Sequence, residues 1–143
     1  MTRPAAADVD VALRLLLLES AGPDAGPDAA ALRVYVRLAA RLEPLIGVAG
    51  MRALMTRSAK LTVSDHPCFA SLVVDWPGST KTTEERLRVC FGDVQPEALS
   101  SAAAALYGTL LGLLASFIGE QLVWQVVRGA FPEIEQNVKE TEQ

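Results

Sequence analysis

His66 is the side chain best suited to chemistry in this sequence, and it lies between Asp65 and Cys68. These side chains can ligate zinc, but a zinc site needs three or four ligands at compatible spacing. The other cysteine, Cys90, forms no CxxC pair with Cys68 and stands at no recognised spacing from His66. We therefore predict no metal, no cofactor and two reduced thiols, as is ordinary in a reducing cytoplasm.

The sequence also lacks the usual signatures of catalysis. Residues 78–81 are Gly-Ser-Thr-Lys, the residue types of a phosphate-binding loop, but their order differs from that motif and its first glycine is missing. No nucleophile motif is present, and proton transfer usually relies on histidine or paired buried carboxylates. Glu120 is the one candidate for a buried carboxylate. We predict that the protein is not an enzyme and has no catalytic residue.

Six cations in residues 29–64 form the most distinctive charged group. Against them stands one acid, Glu43, so the segment has a charge of +5 in a chain of net charge −4. The pattern predicts a docking surface for an acidic protein, and nucleic acid is not favoured because the chain is acidic and lacks interleaved aromatic residues. The alternative, a solvated face or one paired with this chain's own acids such as the C-terminal tail, carries more weight. The six residues are Arg33, Arg37, Arg41, Arg52, Arg57 and Lys60.

An uncharged run of 22 residues between Glu97 and Glu120 organises the rest of the chain. Its apolar residues recur every three or four positions, which predicts one long helix over residues 97–131. Glu120 interrupts this stripe, and three interpretations are open: the helix emerges into water there, the carboxylate pairs with an arginine, or it is a polar specificity element at a subunit contact. We favour the arginine. A membrane span is the less favoured interpretation, because the run is rich in small residues and lacks flanking basic residues. The apolar stripe comprises Ala103, Leu106, Leu110, Leu113, Phe117, Trp124, Val127, Phe131 and Ile134.

A second stripe of small residues follows the same helix. Glycine inside a helix costs about 1 kcal/mol relative to alanine, so several glycines on one line need a reason. Close approach of another backbone supplies one, either the leucine-rich first helix of this chain or the same helix of a second copy. The second copy is slightly favoured. The stripe comprises Ser101, Ala105, Gly108, Gly112, Ala115 and Gly119.

The remaining elements follow from periodicity and helix-terminal residues. We predict helices over residues 8–20, 29–43 and about 51–62, separated by a Gly/Pro linker at 21–28 and by Pro44. Asp28 is the expected N-cap of the second helix, and Val36 is among its inner residues. Residues 64–81 form an apolar loop. Thr82 and Glu85 have capping-box spacing before a short helix that ends near residue 92, and Pro96 opens the long helix.

Two segments resemble a group of small, uncharacterised bacterial all-helical proteins. The likeness rests on residues 42–47 with 52–54 and 57–58, and on residues 117–120 leading to 131–132. The resemblance implies a helical fold and transfers no activity or functional residue.

These observations lead to one fold and one preferred function. We predict a single all-α domain over residues 1–143, a four- to five-helix bundle with a long central C-terminal helix and frayed ends at 1–7 and 139–143. The function predicted is a non-enzymatic, regulatory interaction protein, cytoplasmic and homodimeric, that binds another protein. A small-ligand sensor with a pocket between the long helix and residues 69–76 is the alternative, and a membrane-associated protein is less favoured.

Overall fold

The protein is an all-α bundle, as the periodicity predicts. The computed structural model describes residues 14–16, 26–73 and 82–132. The predicted first helix (8–20), the start of the linker and the frayed ends therefore lie largely or wholly outside the described residues, although Leu15 and Leu16 are helical and buried. The described helices are α1 (Pro27–Thr62), α2 (Ala70–Val73), α3 (Thr83–Gly92), α4 (Pro96–Ile118) and α5 (Glu120–Ala130), with a 3-10 turn at Pro67–Phe69.

Helix α1 is bent at Gly47, so the predicted boundary at Pro44 is wrong by three residues. Gly47 has φ 81° and ψ 163°, a conformation that is essentially confined to glycine. Pro44 lies inside the helix, where its missing N–H removes the backbone hydrogen bond to the carbonyl of Ala40. The two halves of α1 thus correspond to the predicted second and third helices.

Helices α4 and α5 are separated at Gly119, which corrects the prediction of one helix over 97–131. Gly119 has φ 87° and ψ 152°, almost the same backbone conformation as Gly47. The apolar periodicity continues across this residue, and periodicity alone does not reveal a change in direction. Both helices contact α1 and each other.

The helix starts show which local rules hold. Thr82 caps α3, its hydroxyl accepting a hydrogen bond from the backbone N–H of Glu85 at 3.1 Å, and Pro96 opens α4, both as predicted. Asp28 does not cap α1: Gly26 takes the cap position without a side-chain bond, and Asp28 lies in the first turn. Its carboxylate still interacts favourably with the helix dipole there.

A chain of aromatic rings connects the 3-10 turn, α3 and α4 at the centre of the bundle. Phe91 meets Phe69 edge-on at 6.4 Å between ring centroids and lies 6.5 Å from the ring of Tyr107. Tyr107 is fully buried, and its hydroxyl donates a hydrogen bond to the backbone carbonyl of Ala31. Burial raises the pKa of Tyr107 well above its usual value, so the donor proton stays in place near neutral pH.

Candidate functional site

The side chains best suited to chemistry lie in or next to the 3-10 turn and in α3. Burial raises the pKa of Cys68 to about 11, and burial likewise raises the pKa of Cys90, whose sulfur lies 2.9 Å from the Ser71 hydroxyl. Thiols with raised pKa values are poor nucleophiles, because the thiolate is the reactive form. His66 packs its ring 6.2 Å from that of Phe69. Within the described residues, no group of three histidine, cysteine or acidic side chains could hold a metal ion.

The site predicted for a small ligand is filled over its described part. The prediction placed a pocket between the long helix and residues 69–76, but Phe69 is fully buried and packs on Phe91. Residues 74–76 lie outside the described part of the chain. In the described residues (14–16, 26–73 and 82–132), every buried side-chain nitrogen or oxygen has a hydrogen-bond partner.

The six predicted docking cations divide into two groups along α1. The first group, Arg33, Arg37 and Arg41, lies four residues apart in one row on the first half of the helix. Arg33 and Arg37 are half-buried and only Arg41 of this row is exposed, so the row is not the uniformly solvated surface that the spacing predicts.

The C-terminal end of α5 packs against this arginine row. The guanidinium carbon of Arg37 lies 4.2 Å from the centroid of the Phe131 ring, within the range of a cation–π contact. A Cβ atom at Gly129 would lie 3.5 Å from the guanidinium carbon of Arg41, so glycine leaves room for that side chain. Phe131 is fully buried beneath Arg37, and the next residue, Pro132, is exposed.

The second group of cations is open to solvent. Arg52, Arg57 and Lys60 are exposed, and within the described residues none of the three makes an ion pair. They lie opposite the buried face of the second half of α1. That buried face comprises Met51, Met55, Ser58, Ala59 and Thr62.

Large apolar side chains are exposed beside the second group. Leu45 is 59% exposed and Val48 is 61% exposed, on either side of the bend at Gly47. Val48 precedes Arg52 by four residues, so the two side chains share a face of the helix. An exposed apolar patch bordered by charges is typical of an interaction surface. We call Leu45, Val48, Arg52, Arg57 and Lys60 the α1 surface.

A groove of about 410 Å³ lies between α1 and the start of α3. Its apolar wall includes Val36, which is 42% exposed. The sequence analysis predicted that Val36 is an inner residue, and this is wrong because its face of α1 is open to the groove. Tyr35 is buried at its base, where desolvation raises the pKa of its phenol above the usual value. The groove is lined by Tyr35, Val36, Ala39, Ala40, Glu43, Val48, Arg52, Thr82, Thr83 and Glu84.

The small-residue stripe is buried in its middle and open at its ends. Gly108 is buried, while Ala105, Gly112 and Ala115 are half-buried and Ser101 is exposed. Gly119 was predicted to belong to the stripe, but it is exposed and no longer part of the α4 helix. Its positive φ, and not the close approach of another backbone, is the reason for a glycine here.

The corner between α4 and α5 exposes residues that were predicted to be inside. Phe117 is 74% exposed although it continues the apolar stripe of α4, since the helix ends one residue later and leaves the bundle there. Glu120 is exposed in the first turn of α5. It pairs with no arginine in the described part of the chain, so the expected ion pair is not found. The carboxylate is favoured at this helix N-terminus by the dipole.

Comparison of the chain with protein-family models, curated proteins and solved structures finds no match. The resemblance to small bacterial helical proteins therefore stays a prediction, and function has to be inferred from the chain's own surfaces.

Proposed function

We propose that the protein is a non-enzymatic, regulatory interaction protein that binds an acidic segment of another protein on the α1 surface. The observation that carries the proposal is the exposure of apolar and cationic side chains along α1, beside and beyond the bend at Gly47. Leu45 and Val48 expose apolar area to water, Arg52 shares a helix face with Val48, and Arg57 and Lys60 are exposed farther along the same helix. Cations that make no ion pair with another described residue, close to exposed apolar side chains, complement a segment that carries carboxylates beside apolar side chains.

The charge distribution supports an acidic partner over a neutral one. The whole chain has a net charge of −4, yet residues 29–64 have six cations against Glu43. An acidic partner is therefore attracted to this region and repelled elsewhere, which favours a single orientation of approach. Such steering acts mainly on the association rate and weakens as salt screens the charges.

Charge reversal on the α1 surface tests the proposal. A partner retrieved from the source cells with the wild-type chain should be lost when Arg52→Glu or Arg57→Glu is the bait, because each change places a carboxylate against an acidic segment. Each variant is expected to weaken binding about tenfold at low ionic strength. Both variants should keep the wild-type stability within about 1 kcal/mol, since exposed, unpaired charges contribute little to folding.

Arg14→Glu is the matched control, because Arg14 is exposed and the substitution changes the net charge by the same amount. It should retain the partner. Equal loss with Arg14→Glu would show that overall charge, and not the α1 surface, governs binding; retention by all three variants would remove the docking proposal.

The proposal includes self-association through α4. The helix carries no formal charge between Glu97 and Glu120, so two copies can approach along it without like-charge repulsion. Gly112, Leu113 and Ala115 are half-buried, so part of this side of α4 is accessible to a second copy. Packing of these side chains against a second copy would bury apolar area that the bundle leaves partly open.

Gly112→Leu tests this homodimer. In sedimentation equilibrium the wild type should have twice the 15.2 kDa mass of the chain, and the leucine should separate the subunits at a cost of about 1–3 kcal/mol by overpacking. Gly112→Ala, which adds one methyl group, is the control and should stay dimeric. A monomeric wild type would refute the dimer, whereas a destabilised variant of unchanged mass would place the neighbouring backbone inside the same chain.

Two other functions each have one supporting observation. The groove at Tyr35 is large enough for a small ligand, and it combines apolar walls with Glu43 and Arg52, but it is open rather than enclosed. Helix α4 is long and apolar enough to cross a membrane, with mean hydropathy 1.7, yet 56% of that stretch is buried inside the protein. The core helix of a soluble protein has the same properties, so we favour the cytoplasmic interaction protein.

A further inference from the structure

The groove between α1 and the start of α3 contains two groups of opposite charge that do not pair with each other. Glu43 is half-buried and Arg52 is exposed, and neither makes an ion pair within the described part of the chain. The third charged residue of the lining, Glu84, already pairs with Arg88 at 3.4 Å. The groove therefore offers one carboxylate and one guanidinium to a ligand.

The bend of α1 at Gly47 brings these two charges to the same groove. In an unbroken α-helix with 3.6 residues per turn, two residues nine positions apart lie on opposite faces. Glu43 and Arg52 have this spacing, yet both line the groove, because the helix changes direction between them at Gly47. The convergence of the two charges thus depends on the backbone conformation of one glycine.

The rest of the groove is largely apolar, with a phenol at its base. Val36 and Val48 are 42% and 61% exposed, so both side chains are accessible to a ligand. Burial raises the pKa of the Tyr35 phenol, and the two carboxylates and the guanidinium of the lining also act on it electrostatically. The charges are therefore close to the base of the groove. Its volume of about 410 Å³ is within the range of small-molecule sites.

We propose that this groove binds an apolar α-amino acid in its zwitterionic form. The ammonium group of the ligand pairs with Glu43 and its carboxylate pairs with Arg52. The apolar side chain of the ligand packs on Val36 and Val48, and this burial drives association. A ligand with a single charge covers one of the two charged groups of the groove without pairing it, which costs affinity, whereas a zwitterion pairs both. The site goes beyond the proposed function and does not rest on it.

Titration of the full chain with L-leucine tests the site. In ¹³C-methyl NMR spectra, the signals of Val36 and Val48 should shift and saturate at millimolar leucine, while those of the fully buried Val127 stay in place. Two analogues isolate the charges, because N-acetyl-L-leucine lacks the ammonium group and L-leucinamide lacks the carboxylate. Each analogue should bind at least about tenfold more weakly than leucine, as expected for the loss of a hydrogen bond between charged groups.

Substitutions in the groove assign each charge to its partner. Glu43→Gln and Arg52→Gln should each weaken leucine binding about tenfold or more. In Glu43→Gln the advantage of leucine over N-acetyl-L-leucine should disappear, and in Arg52→Gln the advantage over L-leucinamide should disappear. Glu85→Gln and Arg57→Gln are the matched controls and should keep the wild-type affinity, since both residues are exposed and neither lines the groove.

Three results would overturn this binding site. The first is the absence of saturable shifts at Val36 and Val48 with millimolar leucine. The second is equal affinity for leucine and both analogues, and the third is an equal loss of affinity in the control variants. The methyl signals of the buried Met51 and Met55 report that each variant is folded. Because the titration contains no protein partner, the absence of an acidic partner refutes the proposed function and leaves this result unaffected.

Discussion

Phe91→Ala should lower the free energy of unfolding by about 3–5 kcal/mol, the range measured for truncating a buried phenylalanine. Phe91 is 1% exposed and contacts the rings of Phe69 and Tyr107 on either side. Its removal leaves a cavity between the turn before α2 and helix α4 and forfeits two aromatic contacts. A domain of this size has a total stability of about 5–15 kcal/mol, so the variant should be close to unfolding at 37 °C.

Val89→Ala provides the matched control, because Val89 lies two residues away on the same helix and is 50% exposed. It should cost less than about 1 kcal/mol in the same urea titration. A loss below about 1.5 kcal/mol for Phe91→Ala would mean that the aromatic chain is not the centre of the core.

Gly119→Ala should cost about 1–3 kcal/mol, because the residue has φ 87° and ψ 152°, where a side chain is strained. No atom lies within 4 Å of the position that a Cβ would take, so crowding adds nothing and the cost comes from the backbone. Gly47→Ala at the bend of α1 should behave in the same way, since Gly47 has a similar backbone and equally open surroundings.

Gly92→Ala separates this strain from the general effect of replacing glycine. Gly92 also has open space around its Cβ position but no positive φ, so alanine there should be neutral or stabilising by up to about 1 kcal/mol. Thermal unfolding of the three variants measures the difference. Equal melting temperatures for Gly119→Ala and Gly92→Ala would show that the break between α4 and α5 is not fixed by this conformation.

Local rules predicted the features that depend on neighbouring residues. The Thr82 cap requires only a hydroxyl three residues before a backbone N–H, and Pro96 fits the first turn of a helix wherever it occurs. Burial of Met51, Met55 and Phe131 follows from helical spacing once the helices exist. These features therefore agree with the structure.

The helix breaks could not be predicted, because their cause is tertiary. Gly112 and Gly119 are both glycines in an apolar, helix-periodic stretch, yet one remains helical and the other turns the chain. The two glycines differ in their position relative to the end of the bundle. Phe117 is 74% exposed, so no described neighbour covers the helix there, and the turn at Gly119 allows α5 to bury Val123 and Val127. Pro44 gave the wrong boundary, because the helix continues through this proline and bends at Gly47 instead.

The sequence predicted which cations belong to the candidate docking site on α1, but it did not predict what they contact. Spacing placed Arg33, Arg37 and Arg41 in one row, as observed, but it gave no indication that Phe131 lies beneath Arg37. That contact joins residues far apart in the chain and arises only because α5 folds back onto α1. The exposed patch at Leu45 and Val48 was missed for a similar reason, since the bend at Gly47 turns these apolar residues outward.

The salt dependence of partner association tests the α1 surface most directly. The association rate constant of the retrieved partner should fall steeply as ionic strength rises from low to physiological values for the wild-type chain. For a chain carrying Arg52→Glu and Arg57→Glu, the rate should be lower at low salt and nearly independent of salt. Wild-type association that is insensitive to salt, or a double variant that associates as fast as wild type at low salt, would contradict docking of an acidic segment on α1.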